Sequence, residues 1–162
     1  MEIFNLRDIV AKDQEWIRPW IIFQWGAEYV IAHDTKYVPV DLPGVVAVDT
    51  NGENIGLITY QIMDQECELI TLNSLREGIG VGTALIEAVK HRAIQEGCKR
   101  IWLVTTNDNL NAVRFYQKRG FHLVRIHRNS VTRARKQKPE IPEIGDFGIP
   151  IRDEIELEFV FD

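Results

Sequence analysis

Cysteine is scarce in this sequence, which has only Cys67 and Cys98 among its 162 residues. Neither lies at the spacing of a metal-ligand pair, and two cysteines do not make a disulfide framework. We expect both to be small buried thiols, and we expect no metal. The sequence therefore gives no support to a domain held together by disulfide bonds or by a metal ion.

Long apolar runs and an excess of basic charge are also missing. No apolar run is long enough to cross a bilayer, and the first residues lack a basic segment followed by an apolar core. The 24 Asp and Glu residues outnumber the 19 Lys and Arg residues, so the formal net charge is −5. This balance does not favour nucleic acid or an anionic membrane as a partner. We expect one soluble, cytoplasmic domain over residues 1–162.

One stretch, from Glu66 to Gly82, combines a strand pattern with a run of glycines. Its first half alternates and is rich in branched residues, which indicates a β-strand. In its second half, glycine occupies every other position, at Gly78, Gly80 and Gly82. An amphipathic helix follows, with one face formed by Val81, Leu85, Ala88 and Val89. Such a turn can hold a phosphate, because glycines let the backbone approach an anion closely and the first N–H groups of a helix are unpaired.

The glycine spacing distinguishes between phosphate-binding motifs. A Walker loop needs Lys and then Ser or Thr after its last glycine, whereas Gly82 is followed by Thr83 and Ala84. A dinucleotide fingerprint needs two residues between its second and third glycines, whereas only Val81 separates Gly80 from Gly82. Taken alone, the stretch is equally compatible with a tight turn that caps a helix.

A second stretch follows one helix and one strand later. A strand is predicted over Arg100–Thr105, and a second signature begins after it. Together the two stretches resemble the GNAT-type N-acetyltransferases, whose acetyl-CoA pyrophosphate loop ends like Gly80-Val81-Gly82. The second signature of that family falls on Asn109, Ala112, Phe115, Tyr116, Lys118, Gly120 and Phe121. The leading Gln or Arg of the first signature is replaced by Glu77, with Arg76 one place earlier, and we expect Glu77 to point away from the phosphates.

The resemblance covers about residues 45–127 and implies a GNAT-like α/β fold. That fold has a mixed, mostly antiparallel sheet flanked by helices, with two parallel strands splayed around the site of acetyl-CoA. The pantetheine arm of this cosubstrate would bond to the backbone of Ile70–Leu72, and the amide of Leu72 would polarise the thioester carbonyl. The cofactor-binding set implied by the resemblance is Ile70, Leu72, Gly78, Ile79, Gly80, Val81, Gly82, Thr83, Asn109 and Tyr116.

The implied activity is that of an acetyl-CoA-dependent N-acyltransferase. It would move acetyl from acetyl-CoA to a primary amine of a small molecule or peptide by direct attack. Glu68 would serve as the base, directly or through water, unless it is one exposed acid of an alternating strand. Tyr116 would protonate the leaving thiolate, unless it is a packed helix aromatic. Two alternatives stay open: a non-catalytic module that binds or senses CoA, and an acyltransferase that uses a longer acyl-CoA. A homodimer also stays open.

The first third of the chain carries most of the tryptophans. A strand is predicted over residues 2–6, and a helix from Asp13 to Gly26 that Pro19 kinks or divides into two. The resemblance implies that this region forms one wall of the acceptor site, which one or two of Trp20, Phe23 and Trp25 would line. Residues 27–44 are polar and predicted to be irregular, with His33 as an exposed bystander. Strands at 45–49 and 55–63 are joined by the turn signal Asn51-Gly52.

The last third combines basic, Pro-rich and acidic segments. A strand is predicted over 122–127, and a second over 153–161 with one face in water. Between them, residues 129–149 form a predicted loop insertion near the acceptor site, since connections of that length are usually functional or disordered. The basic residues of 125–138 are expected to be solvated, and binding of the CoA phosphates is the alternative.

Overall fold

The computed structural model describes residues 3–162 and contains one mixed sheet of seven strands. Its strands are β1 (Phe4–Asp8), β4 (Gly44–Asp49), β5 (Asn54–Met63), β6 (Glu66–Ser74), β7 (Arg100–Thr106), β8 (His122–His127) and β9 (Glu154–Val160). They lie in the order β1-β4-β5-β6-β7-β9-β8, and β6 and β7 form the parallel pair. A separate two-stranded hairpin consists of β2 (Val30–Ala32) and β3 (Thr35–Tyr37). The predicted fold class is confirmed.

Within the described residues, four α-helices flank the sheet: α1 (Gln14–Trp25), α2 (Val81–Gln95), α3 (Leu110–Gln117) and α4 (Ser130–Gln137). The apolar face of α2 lies in the main core, where Leu85 and Val89 pack with Ile58 and Ile101 of the sheet. A second core cluster joins α1 to the other face of the sheet. It consists of Ile17, Ile21, Val40, Val46 and Leu57. Both cysteines are buried free thiols, as predicted.

Helix α1 runs through Pro19 as one continuous helix, so the division into two short helices is wrong. Proline there removes one backbone hydrogen bond, but the burial of Ile17 and Ile21 keeps both halves of the helix on the sheet. The helix begins after Asp13 and ends at Gly26, whose φ of +79° is the left-handed conformation that closes many helices.

The parallel pairing of β6 and β7 is short. It covers Glu66–Glu68 opposite Arg100–Trp102, after which β6 continues beside β5 and β7 continues beside β9. One extra residue, Ile70, interrupts the ladder between β5 and β6 just beyond that point. The two strands therefore part at the Glu68–Trp102 pair. We call this place the fork, and the space between the parted strands the gap.

Three segments are more ordered or more buried than the sequence predicts. Residues 27–44 contain the β2–β3 hairpin, and the predicted loop at 129–149 contains helix α4. Strand β9 lies between β7 and β8, and Glu154 and Glu156 are buried, so the prediction that one face lies in water is wrong. Strand β8 is the outer strand at this end of the described sheet, and its ladder to β9 is interrupted at Val124.

No helix in residues 3–162 has both the length and the apolarity that crossing a bilayer requires.

Candidate active site

Glu68 lies at the fork, paired across the strands with Trp102. Its side chain is 8% exposed, so the alternative of an exposed acid on an alternating strand is wrong. The carboxylate is held by two partners from the hairpin. The hydroxyl of Tyr37 donates to Oε1 at 2.7 Å, and Nε2 of His33 lies 2.6 Å from Oε2. A buried carboxylate needs such partners, because burial without them would be costly.

His33 is part of this cluster, so its prediction as an exposed bystander is wrong. It occupies the two-residue turn of the β2–β3 hairpin with Asp34, and both residues have positive φ, 40° and 66°. The imidazole lies against Trp102 with 5.1 Å between ring centroids. The backbone N–H of His33 donates to Oε1 of the buried Glu154 at 2.8 Å. The turn of the hairpin therefore contacts β6 through Glu68 and β7 through Trp102, the two strands of the fork.

The cluster shifts the ionisation of its members. Burial lowers the pKa of His33, but the hydrogen bond and charge of Glu68 outweigh this effect, and the net pKa is raised. Burial, followed by the contact with Glu68, raises the pKa of Tyr37. Burial also raises the pKa of Glu154, although the backbone of His33 opposes that change. At neutral pH, Tyr37 is thus a fixed hydrogen-bond donor.

The glycine turn precedes α2, as the sequence predicts. Gly78 and Gly80 have φ of +78° and +85°, the left-handed region that other residues rarely adopt. The helix begins at Val81, which is buried. Ile79 packs against the main core from the turn. No neighbouring atom lies within 4 Å of a Cβ built on Gly78 or Gly80, so no steric crowding requires glycine at either position.

The first turn of α2 meets α3. A Cβ built on Gly82 would lie 3.2 Å from Cζ of Phe115, so the absence of a side chain permits this approach. Thr83 accepts a hydrogen bond from Nε of Arg119 at 2.9 Å. The guanidinium of Arg119 also stacks on the ring of Phe115 at 3.5 Å. A cation therefore lies beside the helix end that was predicted to hold phosphate.

Arg76 and Glu77, which precede the glycine turn, lie in different surroundings. Glu77 is exposed. Arg76 forms an ion pair with Asp49 at 2.6 Å and a longer one with Glu53 at 3.4 Å. Arg76 is thus engaged with the β4–β5 turn rather than free to replace the missing Gln or Arg of the family signature.

The second signature residues lie at the start and middle of α3. Asn109 is the N-cap of the helix, accepting from the backbone of Ala112 at 3.2 Å and donating to Thr105 at 3.1 Å. Tyr116 is buried and packs edge-on against Phe115 and Phe121. Burial raises the pKa of Tyr116, which keeps its hydroxyl protonated at neutral pH. Ile70 and Leu72 follow the fork on β6.

Part of the basic run is engaged with the rest of the chain, so the expectation that it is merely solvated is wrong for Arg133 and Lys138, whereas Arg128 and Lys136 are exposed. Arg133 of α4 forms a paired contact with Asp34 at 2.8 and 3.0 Å, beside the hairpin turn. Lys138 is buried, and its ammonium donates to the carbonyls of Trp25 at 2.7 Å and Tyr29 at 3.1 Å. The segment from α4 to Lys138 thereby joins the hairpin to the end of α1.

The two strands that border the gap are each held by a contact with another part of the chain, β6 with α1 and β7 with the segment after α4. Asn73, near the end of β6, donates to Gln24 of α1 at 3.4 Å. Asp108, just after β7, accepts from the backbone N–H of Asp146 at 2.9 Å. Of the three aromatic residues predicted for the acceptor wall, Trp20 is partly buried in the second core cluster, and Phe23 and Trp25 are exposed.

The residues fit an extended thioester cosubstrate with a phosphate at one end. The gap lies between two strands that no longer pair, and the left-handed glycines place a turn at the start of α2. No cluster of three or more metal-ligating side chains occurs within residues 3–162.

Comparison with known proteins identifies the family. The sequence profile of the acetyltransferase (GNAT) family matches residues 10–121. The chain is a member of the GNAT acetyltransferase family. Among Bacillus subtilis proteins, it is 46% identical to the uncharacterized protein YdhI over 138 residues, which cover 85% of this chain and 86% of YdhI. It is 43% identical to the uncharacterized protein YxbD, covering 82% of this chain and 84% of YxbD.

Solved structures of other GNAT proteins share the fold at low sequence identity. The IAA acetyltransferase from Bacillus cereus superposes with a TM-score of 0.74 at 21% identity, covering 98% of this chain and 99% of that one. A GNAT acetyltransferase from Elizabethkingia anophelis, with acetyl-CoA bound, gives 0.68 at 21% identity and covers 99% and 100%. Arabidopsis thaliana Naa50, in complex with a bisubstrate analogue, gives 0.71 at 18% identity and covers 99% and 100%. The family supports an acyl-CoA-dependent acetyltransferase, and CoA or acetyl-CoA is bound in two of the structural relatives.

Proposed function

We propose that the protein is an N-acetyltransferase that moves acetyl from acetyl-CoA to a primary amine of a small molecule or peptide. The observation that carries this proposal is the fork. The parallel pair ends at Glu68, and the strands part beyond it. The glycine turn comes after the end of β6 and before the start of α2. A thioester arm between the strands would therefore end beside a buried carboxylate.

Acetyl-CoA would lie along β6, with its pantetheine amides bonded to the backbone of Ile70–Leu72. The N–H of Leu72 would face the thioester carbonyl and stabilise the charge that develops there. The pyrophosphate would meet the N–H groups of Gly78–Thr83 at the positive end of the α2 dipole. Arg119 would add a positive charge near Thr83. The bulge at Ile70 supports this placement, because it alters the pairing of β6 where the arm would lie.

The chemistry requires a neutral amine and a protonated leaving thiol. The cluster of Glu68, His33 and Tyr37 would take the proton of the amine. The amine nitrogen would then bond to the carbonyl carbon, and the carbon–sulfur bond would break with its electron pair on sulfur. Tyr116 would give the thiolate a proton, since its hydroxyl stays protonated at neutral pH.

The acceptor would approach from the side that the hairpin, the end of α1 and the insertion border. Residues 129–149 contribute α4 and Asp146 to this border and would set acceptor choice without taking part in acetyl-CoA binding. Structural relatives bound to bisubstrate analogues include Naa50 and NAA60 of Arabidopsis thaliana, and another relative is a nourseothricin acetyltransferase. We therefore keep both peptides and small molecules as acceptor classes.

The test compares two glycine substitutions with matched backbone strain. Gly80→Ala and Gly97→Ala each place a Cβ on a left-handed residue, with φ of +85° and +75° and no atom within 4 Å. Each should lower stability by about 1–2 kcal/mol. Only Gly80→Ala should also weaken acetyl-CoA in calorimetry, because the added carbon lies in the phosphate turn. Gly82→Val is a poorer choice, since its side chain would also collide with Phe115.

Turnover is measured as release of free CoA from acetyl-CoA in the presence of glycinamide, tryptamine, spermidine, a short peptide with a free N-terminus, or an aminoglycoside. At least one amine should raise CoA release above the rate without acceptor. Equal acetyl-CoA affinity of the two glycine variants would reject the assignment of the turn. Binding without turnover on every amine would favour a sensing module, and faster reaction with longer acyl-CoA would favour a different donor.

A further inference from the structure

We propose that Nδ1 of His33 receives the proton of the acceptor amine, and that Glu68 and Tyr37 are positioning residues that hold the imidazole. This inference deepens the proposed function and rests on it. The sequence signatures of the family do not include His33, which lies in the hairpin turn, far from both motifs in the chain.

The three side chains close a ring of contacts that fixes where the hydrogens lie. Tyr37 donates its hydroxyl hydrogen to Oε1 of Glu68, so its oxygen can only accept from His33, at 3.2 Å. Nε2 of His33 also lies 2.6 Å from Oε2 of Glu68. When Nε2 carries a hydrogen, that hydrogen is shared between the closer Oε2 of the carboxylate and the more distant oxygen of Tyr37. Nδ1 is then the lone-pair nitrogen of a neutral imidazole.

The exposed fractions of the Glu68 and His33 side chains indicate which of the two can accept the proton from the amine. The side chain of Glu68 is 8% exposed, and both of its oxygens already accept hydrogen bonds. The side chain of His33 is 19% exposed, and none of its hydrogen bonds within residues 3–162 involves Nδ1. The imidazole is therefore the outer member of the pair. Its ordinary pKa also lies nearer to neutral pH than that of a carboxyl group, as efficient proton transfer requires.

The surroundings hold the imidazole in place and favour its charged form. Glu68 and Tyr37 lie on one side, and the carboxylate of Glu154 binds the backbone N–H of His33. Asp34, next in the turn, is paired with Arg133 of α4, which offsets its charge. The ring also rests on Trp102. Positive φ at His33 and Asp34 is the conformation that a two-residue hairpin turn requires, and it sets the direction in which the turn presents the imidazole.

The proposed step is balanced in protons and electrons. An ammonium proton of the acceptor moves to Nδ1, and the resulting imidazolium is paired with Glu68. The freed lone pair on nitrogen forms the bond to the carbonyl carbon, and the carbon–sulfur bond breaks with its electrons on sulfur. The thiolate takes a proton from Tyr116 or water. The amide nitrogen loses its second proton to water, which replaces the proton that Tyr116 or water gave to the thiolate, and His33 returns its own proton to solvent.

The experiment records kcat against pH at saturating substrate, using glycinamide and a second amine from the panel whose ammonium pKa differs. Variants are His33→Gln, Glu68→Gln and Tyr37→Phe. His91→Gln is the control, because His91 is an exposed histidine of α2. Melting temperature and acetyl-CoA binding show that each variant is folded. Histidine NMR titration of the parent gives the pKa of His33 independently of turnover.

We expect kcat to fall as the pH is lowered, because His33 becomes protonated, and we call this fall the acid limb. Its midpoint should lie above pH 6.5, the ordinary imidazole value, and at the same pH for both amines. His33→Gln should lower kcat by about 10²–10⁴-fold and abolish that limb, with acetyl-CoA affinity unchanged. Glu68→Gln should move the limb to lower pH, because it removes the charge that raises the pKa of His33. Tyr37→Phe should lower kcat less than His33→Gln does, and His91→Gln should leave the profile unchanged.

Three outcomes would overturn the inference while leaving the acetyltransferase intact. They are an active His33→Gln protein that keeps the acid limb, a Glu68→Gln protein without any limb, and an NMR pKa for His33 that does not match the limb of the parent. Failure of the parent to release CoA with any amine is a different result, and it would reject the proposed function together with this step.

Discussion

Lys138→Met removes the ammonium group that joins the insertion to the end of α1. The parent side chain is buried and donates to two backbone carbonyls at 2.7 and 3.1 Å. A hydrogen bond from a charged donor contributes about 1.5–3 kcal/mol. Burial lowers the pKa of Lys138, which shows that desolvation opposes these bonds. We therefore expect a net loss of about 2 kcal/mol for both together. Methionine keeps most of the aliphatic stem, so little packing is lost.

For a chain of this size, a loss of about 2 kcal/mol corresponds to a fall of roughly 4–8 °C in melting temperature. The measurement is thermal unfolding followed by circular dichroism. Lys136→Met is the control, because Lys136 lies in the last turn of α4, close to Lys138 in the chain, and is exposed. Its substitution should change stability by less than about 0.5 kcal/mol.

The same variant tests whether the insertion serves the acceptor side. Loosening α1 from Lys138 should raise the KM of the best amine while the affinity for acetyl-CoA stays the same, because the glycine turn is untouched. A Lys138→Met protein with parental melting temperature would refute the assigned energy of the two bonds. Weakened acetyl-CoA binding by a folded variant would instead place the basic segment in the cosubstrate site.

Two further predictions follow from buried ionisable groups. Tyr116→Phe keeps the ring packing, so acetyl-CoA affinity should hold while the rate of CoA release falls by about 10²–10⁴-fold, with a smaller loss for thioesters of more acidic thiols; full turnover would assign the proton to water. The hydrogen bond from Arg7, helped by Val10 and Trp16, holds the pKa of Asp13 well below its ordinary value. Asp13→Asn should therefore cost about 1–2 kcal/mol in urea unfolding at pH 7, and the difference from the parent should shrink as pH falls below about 4, where the parent begins to lose this stabilisation.

The sequence predicted the elements whose signals are local. Alternation on β6 and the glycines before α2 both depend on residues within one turn or strand. The choice of Glu68 as a candidate base came from the family resemblance rather than from the residues. His33 was missed because its partner, Glu68, lies on another strand 35 residues along the chain. Its hairpin also has no glycine in the turn, and so lacked the usual signal.

The remaining errors come from tertiary packing that overrides a local pattern. Pro19 lies within α1 because neighbouring apolar residues bury the helix on both sides of it. The alternating acids of β9 predicted a face exposed to solvent. Glu154 and Glu156 are instead buried, and they form hydrogen bonds with residues of the hairpin, β7 and β8. Helix α4 was hidden because Val131 and Ala134 are its only buried apolar residues among basic neighbours.

The interruption at Val124 in β8 affects how the protein behaves at high concentration. This strand ends the sheet on one side, and its Leu123 and Ile126 are exposed. An outer strand with apolar side chains can pair with the sheet of another molecule and begin an aggregate. The extra residue divides the ladder into runs of two and three residues, and Arg125 places a charge directly after it. A strand from a second molecule would lose register there and meet a cation, so this edge is protected against unlimited growth of the sheet.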